Sequence, residues 1–219
     1  MPDLKFQIED AVVVPFAAVP SLAFKLRIAN QPAEETIHTI ALRCQIQIEA
    51  TRRRYTPEEQ KRLLDLFGEP ERWGQTLRSL LWTHANTVVT CFQGSTVVDL
   101  PVPCTFDFNV AATKYFEGLG EGAVPLSLMF SGTVFYATSS VPQGGNLQVA
   151  PISWQAECRY TLPVKVWREM MDDYYPNSAW LCLRRDIFDR LHQYKMQHAI
   201  PTWDALFESV IPAEEAVGK

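Results

Sequence analysis

The stretch Ile37 to Ala50 reads IHTIALRCQIQIEA. Ile40, Leu42, Cys44, Ile46 and Ile48 fall on one parity, and Arg43, Gln45, Gln47 and Glu49 on the other. Successive side chains of a strand point to opposite faces, so this alternation predicts a long strand with one face buried and one wet. A wet face is a property of antiparallel sheets, because parallel sheets are covered on both sides. His38 has the parity of Ile40 and Leu42, which places it at the rim of the buried face.

The neighbouring segments extend this reading. In SLAFKLRIAN, Leu22, Phe24, Leu26 and Ile28 alternate with Ala23, Lys25 and Arg27, and the polar NQPAEE follows. Two long strands around a short polar loop predict an antiparallel pair. Beyond Ala50, Thr56-Pro57-Glu58-Glu59 is a capping box with proline at the first helical position. Leu63, Leu64 and Phe67 supply its apolar stripe, and Gly68 ends it. EPERWGQTLRSLLW predicts a second short helix with Trp73, Leu77, Leu80 and Leu81 on one side. Residues 56–81 therefore read as a helical insertion.

Strand patterns return in NTVVTCF, STVVDLPVPCTFDFNV, VPLSLMFSGTVFYA and LQVAPISWQAECRYTLP, with turns at Gly94 and SSVPQGGN. Leu126, Leu128, Phe130, Val134 and Tyr136 are expected to face Trp154, Ala156, Cys158, Tyr160 and Leu162 in a hairpin. AATKYFEGLGEG predicts a short helix closed by glycines. Gly132, in mid-strand, predicts a bulge or a close backbone approach. Residues 163–211 read as a helical C-terminal section. Trp167, Met170, Met171 and Tyr174 form one helical face, SAWLCL is a short strand, and RDIFDRLHQYKMQH carries Ile187, Phe188, Leu191 and Tyr194 inward. Thr202 caps a last helix, and a mobile tail is expected from Pro212. Strands first and helices last give an α+β order. The expectation is one domain over 1–219, an antiparallel β-sandwich of immunoglobulin-like curvature with the helical insertion and the helical C-terminal section.

Composition narrows the function classes. The chain has 219 residues, 47% hydrophobic and 21% charged, with a net charge of −5. That balance suits a packed core and argues against a nucleic-acid partner, which needs a basic face. Arg52, Arg53 and Arg54 form the only basic run; it reads as a solvated strand end leading into a helix, with phosphate contact as the alternative. No apolar run of about 18 residues exists to span a membrane. The N-terminus lacks the pattern of a secretory leader. The five cysteines are odd in number and form no C-x-x-C pair, which fits a cytoplasmic location and disfavours a zinc framework.

No chemical motif emerges, so no catalytic, cofactor-binding or metal-binding residue is assigned. Cys44, Cys104 and Cys158 share parity with buried neighbours. His84, His38, His192 and His198 show no ligand spacing, and the last two fall on different helical faces. Asp99 and Asp107 are a generous candidate for paired acids. The carboxylates of VWREMMDDYYPNSAW point to solvent, because helical periodicity accounts for them. Six tryptophans stand out. Most are expected to fix helices to the sheet, and Trp73, Trp82, Trp180 and Trp203 are candidate interaction anchors.

Seven stretches together resemble an uncharacterised bacterial family, a domain of unknown function. They are PSLAFKLRIAN, IHTIALRCQIQIE, LLDLFGEPERWGQTLRSLLWTH, DLPVPCTFDFNVAATKYF, PLSLMFSGTVFY, VKVWREMMDDYYPNSAW and PTWDALFE. Members of that family resemble products of genes beside NiFe-hydrogenase clusters, often of the actinobacterial uptake type. The resemblance implies a non-enzymatic protein-interaction or accessory factor, with hydrogenase subunits or maturation factors as protein partners. It supplies no catalytic residues. Two alternatives of other classes stand beside it: a small-ligand or carbohydrate-binding sandwich using exposed aromatics, and a cysteine-dependent enzyme or redox factor.

Overall fold

In the computed structural model, which describes residues 2–106, 110–137 and 147–211, the chain divides into two compact units, Met1–Ser178 and Ala179–Lys219. The expectations for Asp107, the SSVPQGGN turn and the tail from Pro212 lie outside the described residues.

Among the described residues the first unit holds eight strands and five of the α-helices, beginning with β1 (Asp3–Val13), β2 (Ser21–Gln31) and β3 (Thr36–Ile48). The insertion contributes α1 (Pro57–Arg62), α2 (Leu64–Phe67) and α3 (Trp73–Thr76). Then come β4 (Leu80–Val89), β5 (Ser95–Pro103), α4 (Val110–Gly118), β6 (Ala123–Ala137), β7 (Leu147–Pro151), β8 (Glu157–Pro163) and α5 (Val164–Tyr174). The second unit holds α6 (Arg185–Gln197) and α7 (Trp203–Val210).

The strands form two antiparallel sheets. One has three strands in the order β1-β2-β5; the other has five, β4-β3-β6-β7 with β8 also on β6. This is an α+β protein. The two sheets share one hydrophobic core. Phe6 of β1 stacks on Phe130 of β6 at 4.3 Å, and Phe24 of β2 meets Trp82 and Tyr160 edge-on at 6.1 and 5.8 Å. The alternation in β3 places Ile40, Leu42, Cys44, Ile46 and Ile48 in that core.

Several expectations need correction. β2 and β3 do not pair with each other; they lie in different sheets, and the loop between them turns a corner. Asn30 helps hold that corner through its side-chain amide, which donates to the Pro32 carbonyl at 3.0 Å. The partner of β2 is β1, whose alternation is hidden by a bulge between Ile8 and Asp10. A register shift between Ile37 and Thr39 likewise buries Ile37 and exposes His38. The helical insertion stops at Thr76 rather than residue 81, because Leu80 and Leu81 open β4. There a bulge opposite Ile46 and Gln47 lets Trp82 and Thr83 both be buried. Ser178–Leu183 forms no strand.

Other readings match. The capping box at Thr56 is present, with Glu59 N–H donating to Thr56 Oγ1 and Thr56 N–H to Glu59 Oε2. β6 and β8 pair antiparallel as expected, Leu128 opposite Cys158 and Leu126 opposite Tyr160, but Val134 and Tyr136 face Ala150 and Gln148 of β7 instead. Gly132 has φ of 140°, and a Cβ there would lie 2.0 Å from the Ala41 carbonyl oxygen, so the close approach is real. α5 buries Trp167, Met170 and Met171 and leaves Asp172 and Asp173 exposed.

Candidate functional site

The four candidate tryptophans fall into two settings. Trp73 is buried in the insertion, where its indole N–H donates to the Gly68 carbonyl at 2.9 Å and its ring meets Tyr55 and Phe67 edge-on. Trp82 is buried between Phe24 and Phe116. Both rings are used to hold elements together. Trp180 and Trp203 belong to the second unit. Trp180 is 51% exposed. Trp203 is half-buried, tilted against Phe188 at 5.4 Å and His192 at 6.3 Å, with Lys195 Nζ 5.8 Å from its ring centre.

The second unit buries little of its apolar surface. Leu206 is its one buried side chain among the described residues. Leu181, Phe188, Tyr194, Met196, Val210 and Ile211 are exposed. Phe188 and Tyr194 were expected inward; helical periodicity predicts a shared face but not what covers it. Two aromatics of the first unit are also open to solvent. Trp154, expected to pack in the hairpin, is 89% exposed because it sits in the turn between β7 and β8. Phe16 is 103% exposed on the loop between β1 and β2, which Tyr174 holds by donating its hydroxyl to the Ala17 carbonyl at 3.0 Å.

The basic run resolves into three separate environments. Arg52 lies 3.9 Å from Glu49, and Arg54 is exposed. Arg53 is buried with Glu59 at 2.9 Å, their side chains 9% and 4% exposed. Arg53 also donates through Nε to the Ala123 carbonyl and through Nη2 to the Glu121 carbonyl. Glu59 accepts from the Gly120 amide at 2.7 Å as well as from Thr56. Burial alone raises the Glu59 pKa, but hydrogen bonds from Arg53, Gly120 and Thr56, with the Arg53 charge, hold it below the usual value. The guanidinium lies 5.3 Å over the Tyr55 ring, and Tyr55 bonds Tyr115 hydroxyl to hydroxyl at 2.8 Å. A surface groove of about 580 Å³ beside this pair is lined by Arg54, Thr56 and Glu121 among others. A carboxylate already committed to three donors is a clasp between the insertion and the loop after α4, not a free base. The capping signature marks Glu59 in the sequence; nothing local marks its second partner.

The thiols separate by burial. Cys91 and Cys182 are exposed. Burial pushes the Cys104 thiol up to about 12 and the Cys158 thiol up to about 11, and raises Cys44 as well. Asp99 is ion-paired with Lys25 at 2.7 Å. Among the described residues, no three His, Cys, Asp or Glu side chains are grouped to hold a metal ion, and no helix is long and apolar enough to cross a membrane.

The class this defines is an α+β protein of two antiparallel sheets on a shared core, followed by a small helical unit. The chain matches the family of unknown function DUF6084 over residues 1–219, and it belongs to that family. No curated protein matches it. Among solved structures, a protein from Archaeoglobus fulgidus is 10% identical with a TM-score of 0.28, covering 71% of this chain and 97% of its own. The putative ApaA protein from Bordetella pertussis is 12% identical with a TM-score of 0.23, covering 74% and 93%.

Proposed function

We propose that this protein is a non-enzymatic interaction factor of the cytoplasm, and that its second unit is the part that grips a protein partner. The observation that supports this is the second unit's exposed apolar set, Trp180, Leu181, Met196 and Ile211 among them, around one buried leucine among the described residues. So small a segment has too little interior to stabilise itself, and exposed aromatics and methionine are the residue types that anchor interfaces. The first unit, a sandwich with immunoglobulin-like curvature in this proposal, is the rigid carrier. The resemblance to products of genes beside NiFe-hydrogenase clusters names the partner class: hydrogenase subunits or their maturation factors.

The test is retention of purified hydrogenase subunits and maturation factors on the immobilised full chain, with a Trp180→Ser, Leu181→Ser double variant beside it. Retention by the native chain and at least tenfold weaker retention by the variant is the expected result. No retention of any of these proteins would overturn the hydrogenase assignment. Equal retention by both chains would move the grip off the second unit.

A further inference from the structure

Strand β6 is flanked on one side by β3 and on the other by two strands laid end to end. β7 pairs with Thr133–Ala137 and β8 with Ala123–Met129. The Ile152 N–H donates to the Gly132 carbonyl at 2.9 Å. In an antiparallel ladder hydrogen-bonded and non-bonded pairs alternate. Ala150 and Gln148 therefore turn their backbone groups toward β6, while Val149 and Leu147 turn theirs away. Pro151 also lies on the outward parity, where its missing N–H breaks no bond to β6. Among the described residues no strand pairs this outer edge.

Exposed edges are usually guarded by charge, proline or a bulge, because free amides and carbonyls attract further strands. Three of the other outer strands follow that rule with charge, while β4, the far edge of the same sheet, carries no charged residue and is guarded only by its bulge at Trp82. β1 carries Asp3, Lys5, Glu9, Asp10 and a bulge; β5 carries Asp99, Pro101 and Pro103; β8 carries Glu157 and Arg159. β7 has only the proline at its end. Gly122 to Ala156 contains no charged residue at all. The outward side chains of β7, Leu147 and Val149, are exposed. They continue an apolar band across the uncovered sheet face. Val149 lies opposite Phe135, and Pro151, Thr133, Ala41 and Val88 form one cross-strand row.

We propose that this edge pairs with the same edge of a second copy, joining two five-stranded sheets into one. Charge favours another copy as the occupant. Two chains of net charge −5 repel over most of their surfaces. A charge-free strand is where identical chains meet without that repulsion. Antiparallel pairing of one edge with itself is self-complementary about a two-fold axis, so it closes at two copies and does not propagate into a fibre. Centred on Val149, it bonds the Val149 amides to the Val149 carbonyls across the axis and the Leu147 amides to the Pro151 carbonyls. The proposal is independent of the second unit's role.

Sedimentation of the full chain over a concentration series, with Val149→Lys and Val149→Pro beside it, tests this. The native chain is expected at twice 24.9 kDa. Both variants are expected to dissociate at least tenfold more readily, since lysine adds charge and proline removes an amide that faces away from β6. Hydrogen exchange of the native chain gives a readout that no variant's folding can disturb. The Val149 and Leu147 amides should become protected as concentration rises. A native chain that stays monomeric, or a dimer that survives both substitutions, overturns the proposal. Loss of the dimer in Val149→Lys alone, without concentration-dependent amide protection, overturns strand pairing in favour of packing through the sheet face.

Discussion

Glu59 carries two duties at once, closing the capping box of α1 and neutralising the buried Arg53. Removing one partner of a buried pair leaves the other charge uncompensated, which costs about 3 kcal/mol or more. Glu59→Gln is therefore expected to lower unfolding stability at neutral pH by roughly that amount, read from urea denaturation. The sign with pH follows from the depressed pKa of Glu59 in the folded state. Its contribution is fully present above the unfolded carboxyl value of about 4.3 and is lost as pH falls through the lower folded value. The gap between native chain and variant should thus narrow on acidification below that point; a constant gap would show that the charge is not what matters. The thiols make a second residue-scale prediction. Under native conditions an alkylating reagent should modify Cys91 and Cys182 first, while Cys44 and Cys104 wait for unfolding. A fast-reacting Cys44 or Cys104 would revive the cysteine-enzyme alternative.

At the scale of elements, α1 depends on its cap and β6 on a glycine. Thr56→Ala removes the acceptor for the Glu59 amide and is expected to cost about 1 kcal/mol. Gly132→Ala should be much worse, because a Cβ at φ of 140° would enter the space of the Ala41 carbonyl between β3 and β6. Strain and overpacking together predict a loss of more than about 2 kcal/mol in unfolding stability, or failure to fold. A Gly132→Ala chain of native stability would mean that β3 and β6 can separate there freely. The elements also show where periodicity stops being informative. Leu77, Leu80 and Leu81 suit a helical face, yet the chain turns to strand at Leu80. The pairing of β4 with β3 and the bulge at Trp82 decide that, and both depend on a partner strand distant in sequence.

At the scale of the whole molecule, the shared hydrophobic core draws all of its buried residues from the first unit. A chain ending at Ser178 is therefore expected to unfold cooperatively with a melting temperature within a few degrees of the full chain. Scanning calorimetry checks this, and an uncooperative melt would show that the second unit is part of the folding unit. The same truncation should lose the proposed partner. It should keep the proposed pairing through β7, so the two surfaces are separable by experiment.

The strands of the sheets and the faces they bury were largely legible in the sequence. Parity in β2, β3, β6 and β8 is local, and burying one side of a strand dictates it whatever the partner. The capping box, the Gly132 approach and the buried face of α5 were legible for the same reason. Which strand joins which sheet, the bulges that turn His38 outward and Trp82 inward, the clasp of Arg53 and Glu59 onto Gly120 and Glu121, and the bare edge of β7 were not. Each of these depends on residues far apart in the chain being brought together. Pairing, burial and desolvation are properties of that assembled neighbourhood, and no local pattern encodes them.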